Sequence, residues 1–137
     1  MRPCSPDYRS GGAVNVLVLF ARVPPSATVL GLTAALLGAL ATPVAQRPTS
    51  TWELQRLIAA VHDRAVELII LDEAENLKSG RGDPRSDTCV AWLKILIKAT
   101  RTPFVLAGTV AGAVAGIEGL LRYDTHLARL VLAHARL

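Results

Sequence analysis

Three short apolar runs, rich in β-branched residues, constrain the fold of this chain more than any other feature. They cover residues 14–20 (VNVLVLF), 66–71 (VELIIL) and 104–107 (FVLA). Continuous apolar runs of this length are typical of strands that are buried on both faces, as in parallel sheets. Segments with helical patterns separate the runs. The sequence therefore predicts an α/β fold in which helices cover a parallel sheet.

The segments between the runs carry helix signals. An uncharged stretch rich in Ala and Leu predicts a buried helix over residues 28–40, and Ser50 with Glu53 forms an S-x-x-E capping box for a second helix. A third helix is predicted to begin near Ser86 or Asp87, either of which can cap it. The chain is predicted to close with a short helix at the C-terminus, so the resulting order is strand, helix, helix, strand, helix, strand, helix.

Size and composition limit the domain organisation. The chain has 137 residues, which fits one domain, and 51% of them are apolar, which excludes global disorder. Residues 1–12 are rich in turn formers and are interpreted as a flexible lead-in, whereas residues 13–137 form the domain. Cys4 and Cys89 are far apart, so neither a disulfide framework nor a structural zinc site is expected, and a cytoplasmic location fits this cysteine usage.

One segment needs a membrane test. Residues 27–46 carry no charge and are long enough to span a bilayer. They also contain several threonines and a proline, and no aromatic residues flank them at the level of a membrane interface. A buried helix is the preferred interpretation, and a membrane-associated protein anchored by this segment is the alternative.

Two acids follow the second apolar run directly. In the sequence LIILDEAENL, Asp72 and Glu73 stand at the carboxyl end of the predicted strand, where open α/β sheets bind ligands. This arrangement is typical of the Walker B segment of P-loop NTPases, whose first acid holds Mg²⁺ and whose second accepts a proton from the attacking water. The alternative is structural, because acids often open the loop after a strand. Thr109 follows the third run at the same edge of the sheet, where such ATPases read the γ-phosphate, although a Thr after a strand can also cap a helix.

The stretch from residue 66 to residue 109 resembles the TniB branch of AAA+ ATPases, the transposition regulators related to TnsC. The resemblance rests on LIILDEAENL, TPFVLAGT at residues 102–109, and the upstream residues 16–43. It implies that Asp72 is the Mg²⁺ ligand, that Glu73 is the catalytic base, and that Asn76 and Thr109 are sensors of the nucleotide. It also implies ATP and Mg²⁺ as cofactors, a transposase and DNA as partners, and assembly into homo-oligomers. Arg129, in LARL, comes near a family segment whose Arg reaches the nucleotide of a neighbouring subunit.

One part of the family pattern is missing from the sequence. A phosphate-binding loop needs G-x-x-x-x-G-K-[ST], and none of the three lysines, Lys78, Lys94 and Lys98, stands in that context. The resemblance therefore implies a partial P-loop NTPase, a three-layer αβα sandwich that carries the second, third and fourth strands of the family sheet. We expect the chain alone to be inactive as an ATPase. The alternative is a non-catalytic α/β interaction module, or a decayed remnant of such an ATPase.

Overall fold

The computed structural model describes residues 15–43, 46, 50–77, 84–109, 117–123 and 125–130. The predicted lead-in, residues 1–12, lies outside this part of the chain. A short 3-10 turn, Ala74–Leu77, follows the second strand. The other elements in chain order are β1 (Val18–Arg22), α1 (Val29–Ala39), α2 (Ser50–Asp63), β2 (Leu68–Asp72), α3 (Pro84–Thr100), β3 (Phe104–Leu106), α4 (Ile117–Tyr123) and α5 (Thr125–Leu130).

The three strands form one parallel sheet in the order β1-β2-β3. Phe20 pairs with Ile70, and Ile70 pairs with Val105, so these residues lie in one row across the sheet. At the carboxyl edge, Arg22 pairs with Asp72. The predicted class, an α/β fold with a parallel three-stranded sheet flanked by helices, is confirmed.

Strands β1 and β2 begin and end later than their apolar runs suggested, whereas β3 begins with its run and ends one residue before the end of that run. The ladder between β1 and β2 continues to the pair Arg22 and Asp72, and the Val23 N–H extends it by donating to the Asp72 carbonyl at 2.9 Å. At the other end, the Val16 N–H donates to the Arg64 carbonyl rather than to β2. The bounds of β1 are set by its backbone hydrogen bonds, which the apolar pattern does not reveal. The strand therefore lies further along the chain than the apolar run and ends at the charged residue Arg22.

The prediction that the strands are buried on both faces is wrong for the described part of the chain. In β1, Leu19 and Ala21 are buried, whereas Val18 and Phe20 are 51% and 52% exposed. Helices α1, α2 and α3 contact one another and cover the buried face. The larger core side chains on this side include Leu19, Leu32, Leu36, Leu57, Ile69, Leu71, Leu93 and Leu96.

The opposite side of the sheet, here called the open face, is apolar and accessible. It consists of Val18, Phe20, Leu68, Ile70 and Val105, which lie in adjacent register positions on the three strands. Leu68 and Ile70 on the central strand are half-buried, while Val105 is 45% exposed. Within the described ranges, the open face therefore has no helix layer over it.

Helix α1 begins at a conventional cap. Thr28 is extended, and its Oγ1 accepts a hydrogen bond from the Gly31 N–H at 3.1 Å, which satisfies one of the free donors of the first turn. The helix has 11 residues and packs Leu32, Leu36 and Leu37 into the core. No helix among the described residues is both long enough and apolar enough to cross a membrane.

The starts of α2 and α3 differ in detail from the sequence prediction. Ser50 is the first residue of α2, and its side chain lies outside the described part of the structure. Glu53 is buried and is held by Arg56, whose Nη1 lies 3.2 Å from its Oε1. Helix α3 begins at Pro84, two residues before the predicted caps, because proline fits the first turn of a helix, where no partner for its missing N–H is needed.

Candidate functional site

The carboxyl edge of the sheet brings together most of the residues that the sequence singled out. Asp72 is the last residue of the central strand β2, and Glu73 follows it. The Glu73 N–H donates to Asp72 Oδ1 at 2.9 Å, so the first acid is fixed by the backbone of the second. Both side chains are partly accessible, with exposures of 33% and 43%.

Arg22, the last residue of β1, lies beside both acids. Its Nε is 3.8 Å from Asp72 Oδ2 and 3.7 Å from Glu73 Oε1. The Arg22 side chain is 63% exposed, and ion pairs of this kind in contact with water contribute little stability. The two carboxylates are thus only loosely neutralised and remain available to a stronger cation.

The backbone at Glu73 is strained. Its φ is 54°, in the left-handed region that costs residues with a side chain about 1–2 kcal/mol. The strain is maintained by the turn that follows, because the Ala74 N–H donates to the Ala107 carbonyl and the Ala107 N–H donates to the Leu71 carbonyl. Strain of this type is concentrated at functional sites, where the surrounding structure enforces an unfavourable conformation.

Asn76 connects Glu73 to the segment after β1. Its Nδ2 donates to the Val23 carbonyl at 3.0 Å and to Glu73 Oε2 at 3.3 Å. Because Val23 is fully buried, the first of these bonds also satisfies a backbone acceptor that water does not reach. Asn76 therefore anchors the 3-10 turn and restrains the carboxylate of Glu73.

Thr109 lies at the same edge, as predicted, but its partner is a residue that the sequence reasoning missed. Glu75 Oε1 accepts from the Thr109 hydroxyl at 2.8 Å and from the Thr109 N–H at 3.2 Å. Burial raises the pKa of the Glu75 carboxyl, but hydrogen bonds from its own backbone and from Thr109 outweigh this, so its pKa lies below the ordinary value. Glu75 is the third acid of LIILDEAENL, which was the signal available in the sequence.

Arg129 is not part of this group. It lies on α5 with an exposed side chain. Among the described residues, no hydrogen bond or ion pair joins Arg129 to Asp72, Glu73, Asn76 or Thr109. A role toward a neighbouring subunit remains a prediction.

Two carboxylates at this edge are of the kind that bind a divalent cation. Mg²⁺ prefers oxygen ligands and is usually bound by one or two carboxylates together with substrate phosphates and water. Asp72 and Glu73 offer accessible carboxylates of this kind. The described residues contain no group of three or more His, Cys, Asp or Glu side chains that would hold a metal ion alone.

The comparisons with known proteins identify one family. The family model described as "Bacterial TniB protein" matches residues 2–119. The match includes the whole sheet and the acidic edge from Asp72 to Thr109, and it ends before Arg129. The search of curated proteins finds no match. The chain belongs to the TniB family, the transposition-related family that its motifs resemble.

Proposed function

We propose that the protein acts in DNA transposition as an ATPase component of the AAA+ type, and that the acidic edge handles Mg²⁺ and the attacking water. The observation that carries this proposal is the position of Asp72 and Glu73 at the carboxyl end of the central strand, where open α/β sheets bind their ligands. The family match supports the connection to transposition.

The proposed roles follow from the contacts of each side chain. Asp72, held by the Glu73 N–H, would hold Mg²⁺ through its accessible oxygens. Glu73 would accept the proton of the attacking water, and Asn76 restrains the carboxylate for that purpose. When bound, Mg²⁺ would neutralise charge on the phosphates of ATP. Thr109 would sense the nucleotide from the end of β3.

The phosphates of ATP need a second group of residues. None of the lysines in the sequence stands in a phosphate-binding loop, so another segment or another subunit would supply those contacts. Assembly into homo-oligomers is part of this proposal, and the exposed Arg129 would reach the nucleotide of a neighbour. A transposase and DNA are the proposed macromolecular partners.

The test is the transposition frequency measured in cells in which this gene is replaced by its variants. Glu73→Gln keeps the shape of the side chain but removes a base whose loss typically slows a reaction about 10²–10⁴-fold, so we expect at least a tenfold drop in frequency. Glu67→Gln is the matched control, because Glu67 is an exposed acid at the opposite end of β2. Equal frequencies for wild type and Glu73→Gln, at equal protein levels, would refute the ATPase proposal.

The open face favours a second candidate, a non-catalytic interaction module. Apolar sheet surfaces of this kind mark contact sites in many proteins. If deletion of the gene abolishes transposition while Glu73→Gln has no effect, this candidate is supported and the ATPase is not.

A further inference from the structure

Thr109 has two hydrogen-bond donors, and one carboxylate oxygen accepts from both. The hydroxyl and the backbone N–H of Thr109 converge on Glu75 Oε1 at 2.8 and 3.2 Å. A threonine hydroxyl has a single proton to donate, and each residue has a single backbone N–H. In this arrangement Thr109 has no donor left for another anion.

This arrangement matters because a phosphate oxygen needs donors. Charge-assisted hydrogen bonds from N–H and O–H groups hold both carboxylates and phosphates, so the two anions compete for the same donors. A phosphoryl group that binds Thr109 must first displace Glu75. The donors of Thr109, beyond the end of β3, thus form an anion-binding site that the carboxylate of Glu75 already occupies.

The hold of Glu75 on this site is incomplete. Its second oxygen, Oε2, is buried and has no hydrogen-bond partner among the described residues. An unsatisfied buried acceptor is costly, and rotation of the carboxylate into water would restore its hydration.

We propose that Glu75 is an internal competitor for phosphate: it occupies the two donors of Thr109, and a phosphoryl group must displace it before Thr109 is able to sense that group. The proposal rests on the proposed function only for the identity of the phosphate as part of a nucleotide. The competition itself is a property of these two residues. It assigns Glu75 a restraining role in the site.

The test uses the full 137-residue chain and inorganic phosphate as the probe. The Thr109 amide is followed by two-dimensional nitrogen–proton NMR while phosphate replaces chloride at constant ionic strength. Removal of a competing charged acceptor is expected to tighten phosphate binding at least about tenfold in Glu75→Ala. Glu75→Gln, which keeps a neutral acceptor, should fall between wild type and Glu75→Ala.

Two controls make the result specific. Glu67→Gln removes an exposed negative charge elsewhere and should leave the phosphate affinity at its wild-type value. Thr109→Val combined with Glu75→Gln removes the Thr109 hydroxyl and should reduce the gain in phosphate affinity that Glu75→Gln alone produces. If Glu75→Ala does not fold, Glu75→Gln carries the test alone. The proposal is overturned if phosphate does not shift the Thr109 amide in the Glu75 variants, or if their affinity equals that of wild type.

The outcome separates this inference from the proposed function. If phosphate binds Thr109 in the Glu75 variants but Glu73→Gln leaves transposition unchanged, the competition is real and the ATPase proposal fails. If Glu73→Gln lowers transposition but phosphate never reaches Thr109, the ATPase proposal stands and the restraining role of Glu75 fails.

Discussion

Two neighbouring residues of β1 allow a direct test of the one-sided packing of the sheet. Leu19 is 1% exposed on the helix-covered side, and Phe20 is 52% exposed on the open face. Truncation of a buried leucine to alanine costs about 2.7–5 kcal/mol, because it removes apolar contacts and leaves a cavity. Full burial of a phenylalanine is worth about 1.5–3 kcal/mol, so a half-exposed one contributes about 1 kcal/mol. We therefore expect the smaller side chain to matter more.

The assay is equilibrium unfolding in urea, followed by circular dichroism, of wild type, Leu19→Ala and Phe20→Ala. With a denaturant slope of about 1.5 kcal/mol/M, Leu19→Ala should lower the midpoint by about 2 M or more and Phe20→Ala by less than about 1 M. Val105→Ala, on the same face as Phe20, is the matched control and should behave like Phe20→Ala.

A loss of about 3–5 kcal/mol for Phe20→Ala, the value for a buried phenylalanine, would refute the one-sided packing. It would mean that the open face is covered in solution. Unfolding at several protein concentrations would then show whether a second copy of the chain covers the open face, because the stability of a self-associated protein increases with its concentration.

Two further predictions concern the acidic edge. Glycine adopts the left-handed φ of 54° at position 73 without strain. Glu73→Gly should therefore raise the free energy of unfolding by up to about 1 kcal/mol, while it abolishes the proposed activity. A large loss of stability would instead show that the contacts of the Glu73 side chain outweigh the backbone strain. The lowered pKa of Glu75 stabilises the folded state above the pKa of the unfolded chain, and this contribution is lost as the pH falls through the folded pKa. In acid titrations of unfolding, wild type should therefore lose more stability than Glu75→Gln below about pH 4, and identical profiles would contradict the prediction.

The order of the strands along the chain and their parallel direction were predictable, because each strand is a short apolar run and helical segments separate it from the next. The open face was not predictable in this way. An apolar run such as residues 14–20 looks the same whether one face or both are covered, since the pattern reports hydrophobicity and not the presence of a neighbour. Only the register places Phe20, Ile70 and Val105 in one accessible row.

The candidate site was also predictable only in part: the positions of its acids at a strand end were predictable, but a contact between distant residues was not. The positions of Asp72 and Glu73 follow from the end of an apolar strand. The bond between Glu75 and Thr109 joins residues 34 apart, and it depends on the alignment of the ends of β2 and β3. No local pattern contains that information. For this reason the sequence predicted a nucleotide sensor or a helix cap at Thr109 but not its hydrogen bond to Glu75.

In the proposed function, a magnesium–nucleotide complex would contact this edge in two separate places. Asp72 and Glu73 share the loosely held, exposed Arg22, so a divalent cation would improve their neutralisation. Glu75 instead occupies donors that a phosphate would use. In the proposed mechanism, Asp72 would hold the cation beside Glu73, while a phosphoryl group would replace Glu75 at Thr109. A ligand with only a cation or only a phosphoryl group would interact with one of these two places and not with the other. This is a physical reason for the cation and the phosphoryl group to bind together.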